Sequence, residues 1–223
     1  MPHVLGWFLL VALQAQEPVT IVTLGDSITK GVRAGVKTEE TFSYLLQEQL
    51  AKDGIATKVV NVGIGGERTD QALKRLDKVI ALKPRIVTIM YGTNDSWVDK
   101  GMKNSRLTVD EYRDNLKKLV AALRQAQITP VLMTEPRLGD KHGANGAGEH
   151  PNKNLLQFVE ACRAVATETK TPLVDNFAHW EKHNASGTDV GVWTTDQCHP
   201  NLRGHQEIAT TMLPVLKKVL RAK

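Results

Sequence analysis

The stretch VTIVTLGDSITKG, at residues 19–31, joins a short run of apolar and β-branched residues to a small polar turn. The apolar part, residues 19–24, does not alternate between apolar and polar side chains. That pattern predicts a strand covered on both faces, as in a parallel sheet flanked by helices. The turn that follows places Gly25, Asp26 and Ser27 at the carboxyl end of this strand.

Four further runs of the same kind follow, at residues 58–62, 85–91, 129–134 and 172–175. Between them, apolar residues recur at helical spacing, which predicts amphipathic helices. Alternating strands and helices predict a parallel sheet with helices on both faces. Pro214 predicts a kink or a restart in the last helix. The glycine-rich residues 139–149 predict a long mobile loop.

Length and composition limit the class of protein. The chain has 223 residues with 41% hydrophobic and 24% charged residues, which predicts one globular domain rather than a disordered, collagen-like or coiled-coil chain. There are 29 Lys and Arg against 24 Asp and Glu, a net charge of +5. No run of five basic residues occurs, so no nucleic-acid partner is predicted. Two cysteines are too few for a disulfide scaffold or a cysteine-based zinc site.

Residues 1–16 are predicted to be a signal peptide, and residues 17–223 a single domain. Residues 4–13 form an uncharged apolar run of ten that a polar stretch follows. Ten helical residues rise only about 15 Å, too little to cross a bilayer, so no stable membrane insertion is expected. The length suits a signal-peptide core with cleavage near Ala15 or Gln16, and therefore an exported protein. A buried N-terminal helix is the alternative.

Polar motifs follow the predicted strands where each of them ends. These are GDSI at 25–28, GIGG at 63–66, GTND at 92–95 and, before the last helix, DQCHPN at 196–201. Ligands of an open parallel sheet bind beyond the carboxyl ends of its strands. The sequence therefore predicts one site that contains a serine, glycines, an asparagine and an Asp-x-x-His pair.

This set of residues has the composition that acyl transfer requires. A serine hydroxyl needs a neighbouring base, and His199 is the candidate base for Ser27. Asp196, three residues earlier, is placed to orient the imidazole of His199. The backbone N–H groups of Ser27 and Gly66 and the side-chain amide of Asn94 are candidate oxyanion donors. No G-x-S-x-G motif is present, so the usual α/β-hydrolase arrangement is not expected.

The motifs GDSI, NVGIGG, GTND and DQCHPN together resemble the SGNH, or GDSL-type, hydrolase family. Its four marker residues have counterparts in family order in Ser27, Gly66, Asn94 and His199, and Asp196 completes the triad. The resemblance spans residues 19–220. It implies a flavodoxin-like three-layer α/β/α sandwich whose five parallel strands are ordered 2-1-3-4-5. Ile28 stands where the family motif often has leucine, a change of similar volume.

Each motif also has a plain structural interpretation. Ser27 is of a type that caps helices, and Asn94 is of a type that forms Asx turns. The glycines at 63–66 are compatible with a nucleotide-binding turn, although no full G-x-G-x-x-G is present. Asp26, Asp95 and His205 are expected to be structural. Because four motifs occur in the expected order, the active-site interpretation is favoured.

The remaining candidates are less specific. Trp193, Arg68 and Arg137 are candidates to line the substrate site, with packing or simple solvent exposure as the alternative. Cys162 lies on a core stripe and is expected to be a buried thiol, whereas the role of Cys198 is open; a disulfide between them is the less favoured alternative. In the glycine-rich loop, the spacing of His142, Glu149 and His150 fits no metal-ligand pattern, so no metal is predicted there.

The predicted function is that of a serine esterase without a cofactor, acting on small-molecule or carbohydrate esters. Aromatic residues make up only 5% of the chain and no long apolar insertion is present, which favours short acyl groups, especially acetyl. Export together with the family resemblance points to O-acetyl groups on carbohydrates. Lysophospholipid or thioester hydrolysis, acyl transfer to an alcohol and a non-catalytic carbohydrate-binding role are the alternatives, and the oligomeric state is left open.

Overall fold

The computed structural model describes residues 17–222, so the predicted signal peptide lies outside the described residues. Five strands form one parallel sheet in the order β2-β1-β3-β4-β5. They are β1 (Val19–Gly25), β2 (Thr57–Asn61), β3 (Ile86–Met90), β4 (Thr129–Thr134) and β5 (Leu173–Asp175). The predicted strand positions and strand order are confirmed. Because β1 lies between β2 and β3, the loops that follow these three strands are neighbours at one edge.

Helices cover both faces of the sheet. They are α1 (Ser27–Lys30), α2 (Phe42–Lys52), α3 (Thr69–Lys74), α4 (Leu76–Ile80), α5 (Val109–Gln125), α6 (Pro151–Glu168), α7 (Asn176–Ala185) and α8 (Leu202–Arg221), with 3₁₀ turns at Thr38–Glu40 and Val190–Trp193. Alternate residues of β1 divide between two cores. Val22 packs with α3 to α6, and Ile21 packs with α2, α7 and α8. The predicted three-layer sandwich is confirmed.

The helical regions break at Arg75 but not at Pro214. The pattern at residues 69–80 is interrupted at Arg75, whose side chain turns inward to bond Glu67 at 2.6 Å. Pro214 lies inside α8, which continues through it as one helix without a restart. Proline removes the hydrogen bond to the carbonyl of Thr210, and both residues are exposed, so water can satisfy that carbonyl.

The predicted loop at residues 139–149 is confirmed as a loop, but backbone hydrogen bonds tie it to its surroundings. The Gly139 N–H donates to the carbonyl of Gln197 at 2.8 Å, and the Gly146 N–H donates to that of Val98 at 2.9 Å. The loop therefore supports the segment that carries Asp196 and His199. Within residues 17–222, no helix combines the length and the apolar character needed to span a bilayer.

Candidate active site

The turn after β1 places Ser27 at the first residue of α1. Asp26 precedes it and is fully buried, and its Oδ1 accepts the backbone N–H of Ile28 at 2.9 Å. This hydrogen bond caps the short helix, as an aspartate at an N-terminal cap ordinarily does. Asp26 thus fixes the turn, as predicted, and Ser27 projects from the carboxyl edge of the sheet.

Ser27, His199 and Asp196 form a continuous chain of hydrogen bonds. Ser27 Oγ lies 2.9 Å from His199 Nε2, and His199 Nδ1 lies 2.9 Å from Asp196 Oδ2. Because a carboxylate only accepts hydrogen bonds, the imidazole proton resides on Nδ1. Nε2 is then free to accept the hydroxyl proton of Ser27. The structure thus brings the three predicted side chains together across 172 residues of sequence.

The turn that carries Asp196 and His199 is held at both ends. A β-bridge joins Thr194 to Pro200, and the Asn201 N–H donates to the carbonyl of Trp193 at 2.9 Å. Asp196 Oδ1 also accepts the backbone N–H of His199 at 2.8 Å. The local sequence therefore presents both side chains from one tight turn directly before α8.

Asp196 is kept ionised by its hydrogen bonds. Burial by itself would raise its pKa, but hydrogen bonds from the backbone and ring of His199 outweigh burial and lower the pKa to about 2. Arg33 adds an ion pair, with its Nη2 2.8 Å from Asp196 Oδ2. No sequence motif pointed to Arg33, because only the fold brings it next to Asp196.

The glycine loop after β2 runs against Ser27. A Cβ built on Gly65 would lie 3.9 Å from the Cβ of Ser27, which places the loop beside the serine. A Cβ on Gly63 would lie 2.2 Å from the backbone nitrogen of Lys30, so this position requires glycine. Gly66 has a φ of +76°, a left-handed conformation that glycine adopts without strain.

Asn94 lies beside the same turn, because β3 is the neighbour of β1. Its Nδ2 donates to Asp26 Oδ2 at 2.9 Å. A side-chain amide carries two N–H groups, so one hydrogen is committed to Asp26 and the other is available to a ligand. Asp26 therefore fixes the orientation of the Asn94 amide.

Beneath Asn94 lies a group of buried carboxyls that sequence reasoning did not connect. Asp26, Asp95 and Glu135 are all at most 1% exposed. Burial raises the pKa of Asp26 to about 7 and that of Asp95 to about 6. Burial, followed by the charge of Asp26, raises the pKa of Glu135 well above its usual range. Burial therefore favours the neutral, protonated form of Glu135, whose carboxyl lies near that of Asp26. The only sequence signal was an acidic residue directly after the apolar strand β4.

Glu135→Gln should become more stable relative to the native chain as pH rises. The pKa of Glu135 is higher in the folded state than its unfolded value of about 4.3, so native stability falls as pH rises above that value. Glutamine keeps the size of the side chain and has no proton to lose. The free energy of unfolding of the variant should gain up to about 1.4 kcal/mol per pH unit over the native chain. Urea unfolding between pH 5 and 8 measures this, and parallel curves for the two proteins would contradict it.

The three predicted lining residues lie in different environments. Trp193 is buried and packs edge-on against Trp180, with ring centroids 5.2 Å apart. Arg68 forms a bidentate ion pair with Asp70. Arg137 is buried between Asp140 and Glu181 and lines a cavity of about 630 Å³ whose lining includes none of Ser27, Asp196 and His199.

Both cysteines are free, so the alternative of a disulfide is not realised. Cys162 is buried on α6, and burial raises the pKa of its thiol to about 12. Burial and then the charge of Asp26 raise the pKa of the Cys198 thiol well above its usual range. Neither cysteine is therefore a thiolate near neutral pH.

The other histidines singled out in the sequence have structural contacts. His205 is fully buried, and burial lowers its pKa to about 4, so it packs as a neutral ring. His150 caps α6 by accepting the Asn152 N–H. His142 contacts the Trp97 ring edge-on. In residues 17–222, His142 and His150 belong to no cluster with metal-binding geometry.

The chain is similar to known esterases in sequence and to a known lipase/acylhydrolase in fold. Residues 23–207 match a family model described as the GDSL-like lipase/acylhydrolase family. Esterase TesA of Pseudomonas aeruginosa is 30% identical over 217 residues, 96% of each chain. An acetylxylan esterase of Geobacillus stearothermophilus is 29% identical over 210 residues, or 86% of this chain and 91% of that one. The crystal structure of a lipase/acylhydrolase from Enterococcus faecalis has a TM-score of 0.74 at 25% identity, covering 92% of this chain and 98% of that one.

Proposed function

This chain belongs to the GDSL-like lipase/acylhydrolase family and is a carboxylic ester hydrolase, and we propose that it removes short acyl groups, above all acetyl, through Ser27, His199 and Asp196. One observation carries the residue assignment. Ser27 Oγ lies 2.9 Å from a ring nitrogen of His199 whose other nitrogen faces a carboxylate. Nucleophile, base and orienting group are in the order that serine catalysis requires.

In the proposed reaction, Ser27 Oγ attacks the ester carbonyl carbon while its proton passes to His199 Nε2. The tetrahedral intermediate collapses as the carbon–oxygen bond to the alcohol breaks, and His199 returns the proton to that alcohol. Water then attacks the acyl-enzyme by the same proton path and releases the carboxylic acid and free Ser27. Side chains and water account for every bond and proton in this sequence, so we propose no cofactor.

The oxyanion of the intermediate is proposed to bind to the N–H groups of Ser27 and Gly66 and to the free amide hydrogen of Asn94. These donors come from the loops after β1, β2 and β3, which are adjacent strands. The hydrogen bond from Asn94 to Asp26 orients the amide before substrate arrives. Such preorganised donors stabilise charge that develops only in the transition state.

Asn94→Ala should lower kcat about 10²–10³-fold, which corresponds to about 2.7–4 kcal/mol for one lost oxyanion donor. KM should change little, since the ester carbonyl is a weaker acceptor than the oxyanion. Steady-state kinetics on p-nitrophenyl acetate measure both constants. Asn154→Ala serves as the control, because the Asn154 side-chain amide also donates a hydrogen bond, in its case to the backbone carbonyl of Ser96. A rise in KM with unchanged kcat would assign Asn94 to substrate binding instead.

The preference for short acyl groups rests on how open the proposed site is. The side chains of His199 and Asp196 are 27% and 40% exposed, so the triad lies at the surface. A long acyl chain requires an enclosed apolar cavity, and the cavity of about 630 Å³ lies away from the triad. The similarity to an acetylxylan esterase supports acetyl groups on carbohydrates as the substrate class. Export by means of residues 1–16 is part of the same proposal.

The test compares p-nitrophenyl esters from acetyl to palmitoyl, followed by acetate release from acetylated xylan. We expect kcat/KM to be highest for acetyl and acetate to be released from the polysaccharide. A maximum at long chains would favour the lysophospholipase or thioesterase alternative. Acyl transfer to an added sugar alcohol in preference to water would favour the transferase alternative, and binding to xylan without turnover would favour the carbohydrate-binding one.

A further inference from the structure

Two histidines of α7 and one glutamate of α8 form a cluster that the proposed reaction does not use. His179 Nε2 lies 2.7 Å from Glu207 Oε2, and the His179 and His183 rings are 4.8 Å apart between centroids. One ligand atom from each of the three side chains lies within 4.8 Å of the other two. Both histidines are partly exposed, whereas the Glu207 side chain is only 9% exposed.

The spacing of the histidines suits a shared ligand. His179 and His183 are four residues apart in a ten-residue helix, so both rings project from the same face. Two histidines at this spacing on a helix are a recurrent means of holding one metal ion. Glu207 adds an oxygen ligand from a second helix, and the three donor atoms lie within 4.8 Å of one another.

The contacts of Glu207 fix the orientation of its carboxylate. Its Oε1 pairs with Arg203 Nη2 at 2.5 Å, which leaves Oε2 directed toward His179. Ligating carboxylates around metal sites are usually held in place by hydrogen bonds of this kind. His183 packs against Trp193 with ring centroids 5.1 Å apart, so an apolar ring shields one side of the cluster.

We propose that His179, His183 and Glu207 bind a divalent transition-metal ion, Zn²⁺, with water as the fourth ligand. Two imidazoles and a carboxylate suit zinc rather than Ca²⁺ or Mg²⁺, which require oxygen ligands. In a tetrahedral site with Zn–N bonds of about 2.0–2.1 Å, neighbouring ligand atoms are about 3.4 Å apart. The three ligand atoms now lie within 4.8 Å of one another, and rotation of the partly exposed histidine side chains can bring them to this distance.

The ion would join α7 to α8 directly behind Trp193, the residue that ends the 3₁₀ turn before the Asp196 segment. Its role is therefore to brace the support of that segment and not to contact the substrate. Ester hydrolysis at ambient temperature does not require it. Resistance to unfolding does depend on it, because an ion bound only by the folded state stabilises that state.

The test titrates chelator-treated protein with Zn²⁺ in competition with a coloured zinc indicator, and records thermal unfolding with and without Zn²⁺. We expect one ion per chain and a rise in the unfolding midpoint of about 5–11 °C at a concentration 100 times the dissociation constant. Co²⁺ substituted at the site should show the visible absorption of a four-coordinate ion. Ca²⁺ and Mg²⁺ should not compete.

His183→Ala and His179→Ala should each weaken Zn²⁺ binding by at least about 100-fold, since each removes a direct ligand. His142→Ala, at a histidine outside the cluster, is the matched control and should bind Zn²⁺ like the native chain. Circular dichroism of the metal-free variants establishes that they remain folded. Absence of binding in the native chain, or unchanged binding in the two ligand variants, overturns the proposal.

Discussion

Replacing Ser27 by alanine is expected to reduce kcat for p-nitrophenyl acetate by about 10⁴–10⁶-fold, the largest loss of any single substitution considered for this protein. Alanine removes the hydroxyl that His199 Nε2 contacts at 2.9 Å, and no acyl-enzyme can then form. The fold should be unaffected, because the backbone of Ser27 is retained and the Ile28 N–H still donates to the Asp26 side chain that caps α1. Residual hydrolysis would come from water activated in the oxyanion site.

Cys198→Ser is the matched control, because Cys198 is the rival nucleophile beside the same histidine. Its thiol has a raised pKa and stays protonated, so its loss should leave kcat within about threefold of the native value. Mass spectrometry of the native enzyme, quenched during turnover, should locate the acyl group on the peptide that contains Ser27. An acylated Cys198 peptide would assign the nucleophile role to Cys198. Activity of Ser27→Ala within tenfold of native would show that Ser27 is not the nucleophile.

The fold was readable from sequence because parallel strands that are buried on both faces leave a strong pattern. The five apolar runs gave every strand to within one or two residues, and β4 without error. The strand order came from the family resemblance, since the apolar runs alone do not specify which strands are neighbours. The break at Arg75 was not predictable, because no glycine or proline marks it in residues 69–80.

The residues of the candidate site likewise fall into those that the sequence pointed to and those that it did not. Ser27, Asn94 and His199 were found because each directly follows a strand or precedes a helix within a recognisable motif. Arg33 was missed because nothing in its sequence context marks it, and Glu135 was missed because one acidic residue after an apolar strand is a weak signal. Their contacts with Asp196 and Asp26 join segments that are distant along the chain. The cluster of His179, His183 and Glu207 was missed for the same reason, since its third member belongs to another helix.

Asp196→Asn is the second substitution with a large expected effect, a fall in kcat of about 10⁴-fold. The amide oxygen of asparagine can still accept the backbone N–H of His199, as Oδ1 now does at 2.8 Å. Its amide nitrogen then replaces Oδ2, where it faces both His199 Nδ1 and Arg33 Nη2. An N–H donor at this position favours the imidazole tautomer with its proton on Nε2, which cannot accept the proton of Ser27. Arg33 would also be left facing a donor in place of a carboxylate.

Steady-state kinetics of Asp196→Asn beside Asp189→Asn separate this effect from a general loss of structure. Asp189 caps the neighbouring 3₁₀ turn by accepting the Gly191 N–H at 2.9 Å, so its change should alter kcat by no more than a few fold. Because the pKa of Asp196 is about 2, the carboxylate stays ionised throughout mildly acidic solution, and any acid limb in the native pH profile does not arise from it. A loss smaller than tenfold would remove Asp196 from the triad and leave it as a structural residue of the turn.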